Sequence, residues 1–214
     1  MKIFKYIVSL IIGKSIRYID YIYQYSRDFL IKKDFTGIIK IEEHNTYYQA
    51  SRYYEVKKIF QDLDLDGKTI LDVGSGKGLI LYLATKFKFK YIYGVEISKN
   101  IFDISINNLK DKNNIKIFNK SFFDLEDKIF QEIDIYFLFN PFPEIKLLID
   151  KIMKLKNNKE ILIIYINPVY GELFIENGFN EIGEYKFLVS TSPAKLYKHH
   201  IKGKQNEQNT TPKT

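Results

Sequence analysis

Residues 69–78 read Thr69-Ile70-Leu71-Asp72-Val73-Gly74-Ser75-Gly76-Lys77-Gly78. An apolar run of strand character enters three glycines at alternate positions, and a helical pattern follows over residues 77–88. Glycine lets the backbone turn tightly and meet a ligand with no Cβ in the way. The N-terminus of a following helix offers free N–H groups. In open parallel sheets, ligands sit at this carboxyl edge of the strands. This stretch therefore decides both the fold and the place to look for a site.

The same alternation continues along the chain. Strands read at 69–73, 91–96, 115–119, 133–139 and 160–166, and helices at 77–88, 98–110, 143–155 and 169–177. Apolar strands separated by helices of this length imply βαβ units and a parallel sheet covered on both faces. A helix reads at 51–62, with Tyr54, Ile59 and Phe60 among its apolar contacts. Residues 34–50 read as a mixed, loop-like stretch. Beyond Gly178, the stretches 181–190 and 195–201 read as a terminal hairpin around Ser192-Pro193. The expected fold is α/β: a Rossmann-like three-layer sandwich with a seven-stranded, mostly parallel sheet and an antiparallel C-terminal hairpin.

Three ligand readings compete for the turn. A P-loop requires G-x-x-x-x-G-K-[ST]; here the four-residue spacer is missing and Gly78 follows Lys77. A dinucleotide fingerprint requires G-x-G-x-x-G; here the third glycine comes one residue early. The third reading is an acid followed by x-G-x-G-x-G, with Asp72 as the acid. That string resembles motif I of the class I S-adenosylmethionine-dependent methyltransferases.

The end of the second strand carries Glu96, 18 residues past Gly78. A carboxylate there can accept hydrogen bonds from both hydroxyls of a ribose. A bland alternative is a surface acid capping the next helix, with Ser98 as another N-cap. Gly94-Val95-Glu96-Ile97-Ser98 is similar to motif II of the same family. After the third strand that family often carries an acid for the adenine amino group. Here Ser121 takes the acid's place, in Asn119-Lys120-Ser121-Phe122-Phe123-Asp124. Ser121 can hydrogen-bond the base, Phe122 can cover its face, and Asp124 can reach back. The two Phe residues suit the core equally well.

The fourth strand ends Phe137-Leu138-Phe139-Asn140-Pro141-Phe142-Pro143. This resembles the [DNS]-P-P-[YF] motif of amino-group methyltransferases, with one proline missing before the aromatic ring. An amide oxygen and a fixed carbonyl can accept the hydrogens of an amine and aim its lone pair. A flanking ring favours the developing positive charge. The competing reading is a helix start, with Asn140 as cap and Pro141 at the first helical position. A second Asn-Pro, at 167–168, reads more simply as a cap.

Together these strings resemble class I methyltransferases across residues 47–200, closest to bacterial members of unassigned substrate. Tyr48-Gln49-Ala50-Ser51 adds to the likeness. Similar segments of non-SET lysine methyltransferases close over the methionine end of the cofactor. The resemblance implies S-adenosylmethionine as cofactor. It places Tyr48, Ser51, Asp72, Gly74, Ser75, Gly76, Gly78, Glu96, Ile97, Ser121, Phe122 and Asn140 around that cofactor. It places Asn140, Pro141 and Phe142 at the acceptor. The implied reaction is methyl transfer to an amine or hydroxyl, with a protein lysine as one acceptor. The alternatives are a small molecule or glycan precursor at a membrane surface, or a binding module without turnover. A nicotinamide-dependent oxidoreductase is the rival of a different class.

The two ends of the chain read differently from its middle. Residues 1–33 form one expected amphipathic helix (3–32), 34–201 the methyltransferase domain, and 202–214 a disordered polar tail. The formal charge is +7. Residues 1–33 contribute +5 and residues 195–214 +4, which leaves −2 for residues 34–194. A nucleic-acid-binding domain would carry its charge on the domain itself, so nucleic acid ranks third among acceptors. Packing of the N-terminal helix on the domain or on a second subunit is the first reading, and peripheral contact with an anionic membrane the second. The chain holds no Cys, which excludes disulfides and thiolate chemistry and fits a cytoplasmic setting. His44, His199 and His200 show no metal-binding spacing, and no metal is expected.

Overall fold

The computed structural model describes Asp28 and residues 31–36, 38–41, 46–139, 144–156, 158–187 and 193–200. The strands are β1 (Ile38–Ile41), β2 (Thr46–Gln49), β3 (Thr69–Val73), β4 (Tyr91–Glu96), β5 (Ile115–Asn119), β6 (Ile135–Phe139), β7 (Ile161–Ile166), β8 (Asn180–Tyr185) and β9 (Ala194–His199). The helices are α1 (Tyr53–Asp62), α2 (Leu79–Ala84), α3 (Lys99–Leu109), α4 (Asp127–Glu132), α5 (Ile145–Leu155) and α6 (Gly171–Glu176). The expected helix over 3–32 lies almost wholly outside the described residues; Asp28 and Ile31, near its end, are helical. The expected tail over 202–214 also lies outside them.

The main sheet has seven strands in the order β5-β4-β3-β6-β7-β9-β8. Strands β3 to β7 run parallel. β9 is antiparallel to both β7 and β8. β8 therefore runs in the same sense as the first five, and β9 alone is reversed among the described strands of this sheet. The expected C-terminal hairpin is present, but its second strand enters the sheet first and its first strand forms the edge.

The strands are long apolar runs because both of their faces are covered. Alternation along them separates two cores. Ile70, Ile92, Phe137 and Ile164 face one side, where Val56, Ile59 and Phe60 of α1 and Leu81 and Leu83 of α2 close over them. Leu71, Tyr93, Tyr136 and Tyr165 face the other, under Phe130 of α4, Leu148, Ile149 and Ile152 of α5 and Phe174 of α6. In α5 the buried set Ile145, Leu148, Ile149 and Ile152 follows helical spacing. In α1 the buried side is Tyr53, Val56, Ile59 and Phe60, whereas Tyr54 points outward at 48% exposure. The expectation of Tyr54 as an apolar contact is corrected by that phase.

Three short elements, β1, β2 and α4, escaped the sequence pattern. β1 and β2 pair as an antiparallel hairpin within the stretch read as a loop. Four residues per strand give too short a window for alternation to register. α4 is six residues long, less than two helical turns. Other differences are at element ends: the helix read at 77–88 spans Leu79–Ala84, starting late because Gly78 takes a left-handed conformation that ends the turn, and the strand read at 133–139 starts at Ile135.

Phe60 is 1% exposed and meets Phe87, Phe89 and Phe137 at ring-centroid distances of 5.4, 5.6 and 6.5 Å. Truncating it removes a ring on which three others pack. Phe60→Ala should cost about 3–5 kcal/mol of unfolding free energy in urea titration; a loss under about 1 kcal/mol would mean that this face of the core can collapse around the gap.

Candidate cofactor site

The glycine-rich turn folds over the end of β4. The N–H groups of Gly74 and Ser75 both donate to Val95 O, at 2.9 Å each, and Gly78 N–H donates to Ser75 O at 2.9 Å. Gly74, Gly76 and Gly78 have φ of +77°, +53° and +87°, the region that L side chains rarely adopt. At Gly78 a Cβ would also stand 2.6 Å from Leu109 Cδ1, so the helix α3 packs directly on the backbone there. At Gly74 a Cβ would meet nothing within 4 Å. The turn thus presents bare backbone to open space at its first glycine and is packed tightly at its last.

Close approach from below needs a glycine too. A Cβ on Gly94 of β4 would lie 2.6 Å from Leu81 Cδ1 and 2.9 Å from Ser75 Oγ. Gly94 lets Ser75 tuck against the sheet, where its hydroxyl is buried with no hydrogen-bond partner among the described residues.

Two carboxylates sit under this turn on the same face of the sheet. Glu96 is 6% exposed. Its Oε2 accepts from Gly76 N–H and its Oε1 from Ser98 N–H, both at 2.9 Å. Glu96 thus takes an N–H at the start of α3, as the capping reading expects, and it also fixes the middle of the glycine turn. Ser98 makes no side-chain cap. Asp72 is 3% exposed, and no described residue donates a hydrogen bond to its carboxylate. Burial first, and the nearby Glu96 charge second, push its pKa well above the ordinary 3.8. An acid so placed is relieved by a cation brought from outside.

The third strand end is tied to the second. Asn119 Nδ2 donates to Glu96 O at 2.9 Å and to Ile97 O at 3.1 Å. Ile97 is left 49% exposed beside Glu96. Ser121 Oγ accepts from Phe123 N–H at 3.2 Å and so caps the short 3₁₀ turn at residues 122–124. The Phe122 ring is not on the rim. It is 5% exposed and packs edge-on against Phe130 at 5.1 Å. Of the two readings open to it, this packing is the core one, because α4 brings Phe130 beneath the ring.

Ser51 is buried just before α1, and Tyr48 lies in β2 with its backbone paired to Ile39. Asn140, Pro141 and Phe142 lie outside the described residues. Among the described residues no cluster of His, Asp and Glu suits a metal ion, and no helix is long and apolar enough to cross a membrane.

No protein-family model matches the chain, and no curated protein does. Solved structures do. A ribosomal protein L11 methylase from Lactobacillus delbrueckii subsp. bulgaricus matches with a TM-score of 0.56 at 14% identity, over 72% of this chain and 81% of that one. The magnesium protoporphyrin IX methyltransferase of Synechocystis PCC 6803, solved with bound SAM, matches at 0.52 and 15% identity, over 69% and 79%. A Pyrococcus horikoshii protein named as a candidate RNA methyltransferase matches at 0.51 and 20% identity, over 68% and 81%. The chain shares its fold with these methyltransferase structures. At these identities the likeness is one of fold alone. Within this fold, β3, the glycine turn and the end of β4 hold Asp72, Gly74, Ser75, Gly76, Gly78, Glu96 and Ile97.

The sequence missed Lys77, Asn108 and Asn119, which hold the turn and the strand ends together. For Lys77 a signal existed: a lysine between two glycines, with no P-loop around it, needs another partner. Asn108 meets Asp34 across 74 residues, and no local pattern marks such a pair.

The position of Asp72 sets a pH dependence. Its folded pKa lies above the unfolded value, so the unfolded chain loses the proton first as pH rises past 3.8. Stability of the ligand-free chain then falls until the folded carboxyl ionises. Asp72→Asn should melt higher than the parent near neutral pH, and the gap should close as pH approaches 3.8. A variant that melts lower at pH 7 would reveal a partner that holds the carboxylate.

Proposed function

We propose that the chain is an S-adenosylmethionine-dependent methyltransferase that acts on an amine or hydroxyl acceptor. The observation that carries this reading is the pairing of bare backbone at Gly74 with two buried carboxylates, Asp72 and Glu96, under one turn. Those features fit the cofactor's chemistry. The unpartnered Asp72 suits an ammonium group at the cofactor's amino-acid end. The Glu96 carboxylate, held at the end of β4 by the N–H groups of Gly76 and Ser98, suits a ribose hydroxyl. Ile97, exposed beside Glu96, offers an apolar surface to a flat base.

The sheet supports this reading over a nicotinamide enzyme. A dinucleotide fold has the strand order 3-2-1-4-5-6. Here a reversed strand stands between the fifth parallel strand and the edge.

Bound cofactor would supply an electrophilic methyl group on a sulfonium. The chain's part is to hold that group in line with the acceptor and to keep both in place. Asn140 and the carbonyls around Pro141 would accept hydrogens from the acceptor, and Phe142 would face it. Tyr48, Ser51, Ser75, Gly76, Gly78 and Ser121 complete the proposed cofactor surround. Phe122 contributes from beneath, through the core. The favoured acceptor is a protein side chain, lysine first, on the resemblance to non-SET lysine enzymes and the Asn-Pro-Phe string. Solved structures that share the fold are named for protein, porphyrin and RNA acceptors, so small molecules and RNA belong in the same screen.

Calorimetric titration with S-adenosylhomocysteine, with NAD in parallel, tests the cofactor. Binding of S-adenosylhomocysteine alone is expected; binding of NAD alone would overturn the reading. Glu96→Gln keeps the shape of the side chain and removes its charge. It should weaken S-adenosylhomocysteine binding by about 1–3 kcal/mol, the worth of hydrogen bonds to a charged group. Unchanged affinity would remove Glu96 from the ribose.

A further inference from the structure

Lys77 stands inside the glycine turn, yet its side chain is turned away from any ligand there. It is 3% exposed. Its Nζ donates to Asp34 Oδ1 at 2.7 Å and to Thr36 O at 2.6 Å. Those two residues belong to the segment 31–36, ahead of the domain's first strand. That segment is pinned at several further points. Asn108 of α3 accepts from Asp34 N–H at 2.8 Å, and its Nδ2 donates to Asp34 O at 2.7 Å and to Lys77 O at 3.0 Å. Asp28 Oδ2 accepts from the N–H groups of Phe35 and Thr36, at 2.9 and 2.8 Å. Phe35 is fully buried, with its ring 5.2 Å from Tyr82 of α2. Lys33 pairs with Asp111 at 2.6 Å, just beyond α3.

The turn needs such support. A run with glycine at every second position is conformationally loose, and ordering it on binding weakens affinity. From below, Val95 O and Glu96 restrain Gly74, Ser75 and Gly76. Of the residues between Gly74 and Gly78, only Ser75 and Lys77 carry side chains, and Ser75 is tucked against Gly94. Lys77 is therefore the side chain that ties the turn to a second part of the chain. A buried ammonium is stable only while its partners stay in place. Seating of residues 31–36 and the shape of the turn must then change together.

We propose that residues 31–36 are a strap that sets the conformation of the glycine turn through Lys77, so that strap seating and cofactor binding are thermodynamically linked. Lys77 is a positioning residue and does not touch the cofactor. The proposal rests on the cofactor reading above. Linkage is reciprocal: whatever factor the seated strap adds to cofactor affinity, bound cofactor adds to strap protection. Because the strap follows directly on residues 1–30, whatever engages that basic end pulls on the cofactor site.

The test is titration of the full chain with S-adenosylhomocysteine, for the parent and for Lys77→Met, Asp34→Ala and Asp34→Asn. Amide hydrogen exchange at Phe35 and Thr36 is followed with and without the ligand. Lys77→Met should weaken binding by roughly tenfold or more, within the usual range of coupling between sites. Asp34→Ala should weaken it less, since Thr36 O remains, and Asp34→Asn should recover part of that loss. Ligand should slow exchange at Phe35 and Thr36 in the parent but not in Lys77→Met. Should Lys77→Met fail to fold, the Asp34 pair decides, because that carboxylate is 60% exposed and lies outside the core. Variants that melt lower yet bind as the parent does, with no ligand effect on exchange, would overturn the strap and leave the cofactor reading standing. A parent chain that does not bind S-adenosylhomocysteine would overturn both.

Discussion

The hydrogen bonds from Gly76 N–H and Ser98 N–H to the Glu96 carboxylate hold the site end of this fold together. One side chain at the end of β4 joins the turn after β3 to the start of α3. Asn119 then ties the end of β5 to the same point through the Glu96 and Ile97 carbonyls. Three strand ends are thus fixed by two side chains. The sheet beneath supplies rigidity, because its strands are covered on both faces. The rim above it has few apolar contacts and relies on polar ones.

The same rim carries a cost in stability. Asp72 is buried without a hydrogen-bond donor among the described residues and beside a second carboxylate. Neither core needs it: the positions around it in β3, Ile70 and Leu71, are fully buried and apolar. Polar groups left unmatched inside a protein are expensive, and such groups gather where a ligand will complete them. Ser75, with its buried hydroxyl unpartnered, belongs to the same pattern. The lower face of the sheet also holds a buried hydroxyl with no hydrogen-bond partner among the described residues, at Tyr136.

Much of this was legible in the sequence. β3, β4 and β5 have the bounds that their apolar runs suggested, and the turn glycines adopt the backbone that only glycine tolerates freely. What stayed hidden was of two kinds. Elements shorter than a readable period, such as β1, β2 and α4, leave no pattern. Contacts set by tertiary packing leave none either. The sequence left Phe122 open between core and rim, with nothing to name Phe130 as its neighbour, and nothing near Asp34 announces Lys77. The order of the last two strands was hidden for the same reason. A hairpin reads alike whichever of its strands meets the sheet.

That order bears on how the chain is made. β8 is translated before β9, yet its ladder partner among the described strands is β9 alone. The open edge of β7 waits for the same partner. While synthesis proceeds from the N-terminus, β8 must therefore leave a gap of one strand's width and remain unpaired until residues 194–199 emerge. The nascent sheet passes through a stage with an exposed edge at β7, the kind of edge that invites pairing with another chain. Residues 194–199 then complete two ladders, one with β8 and one with β7.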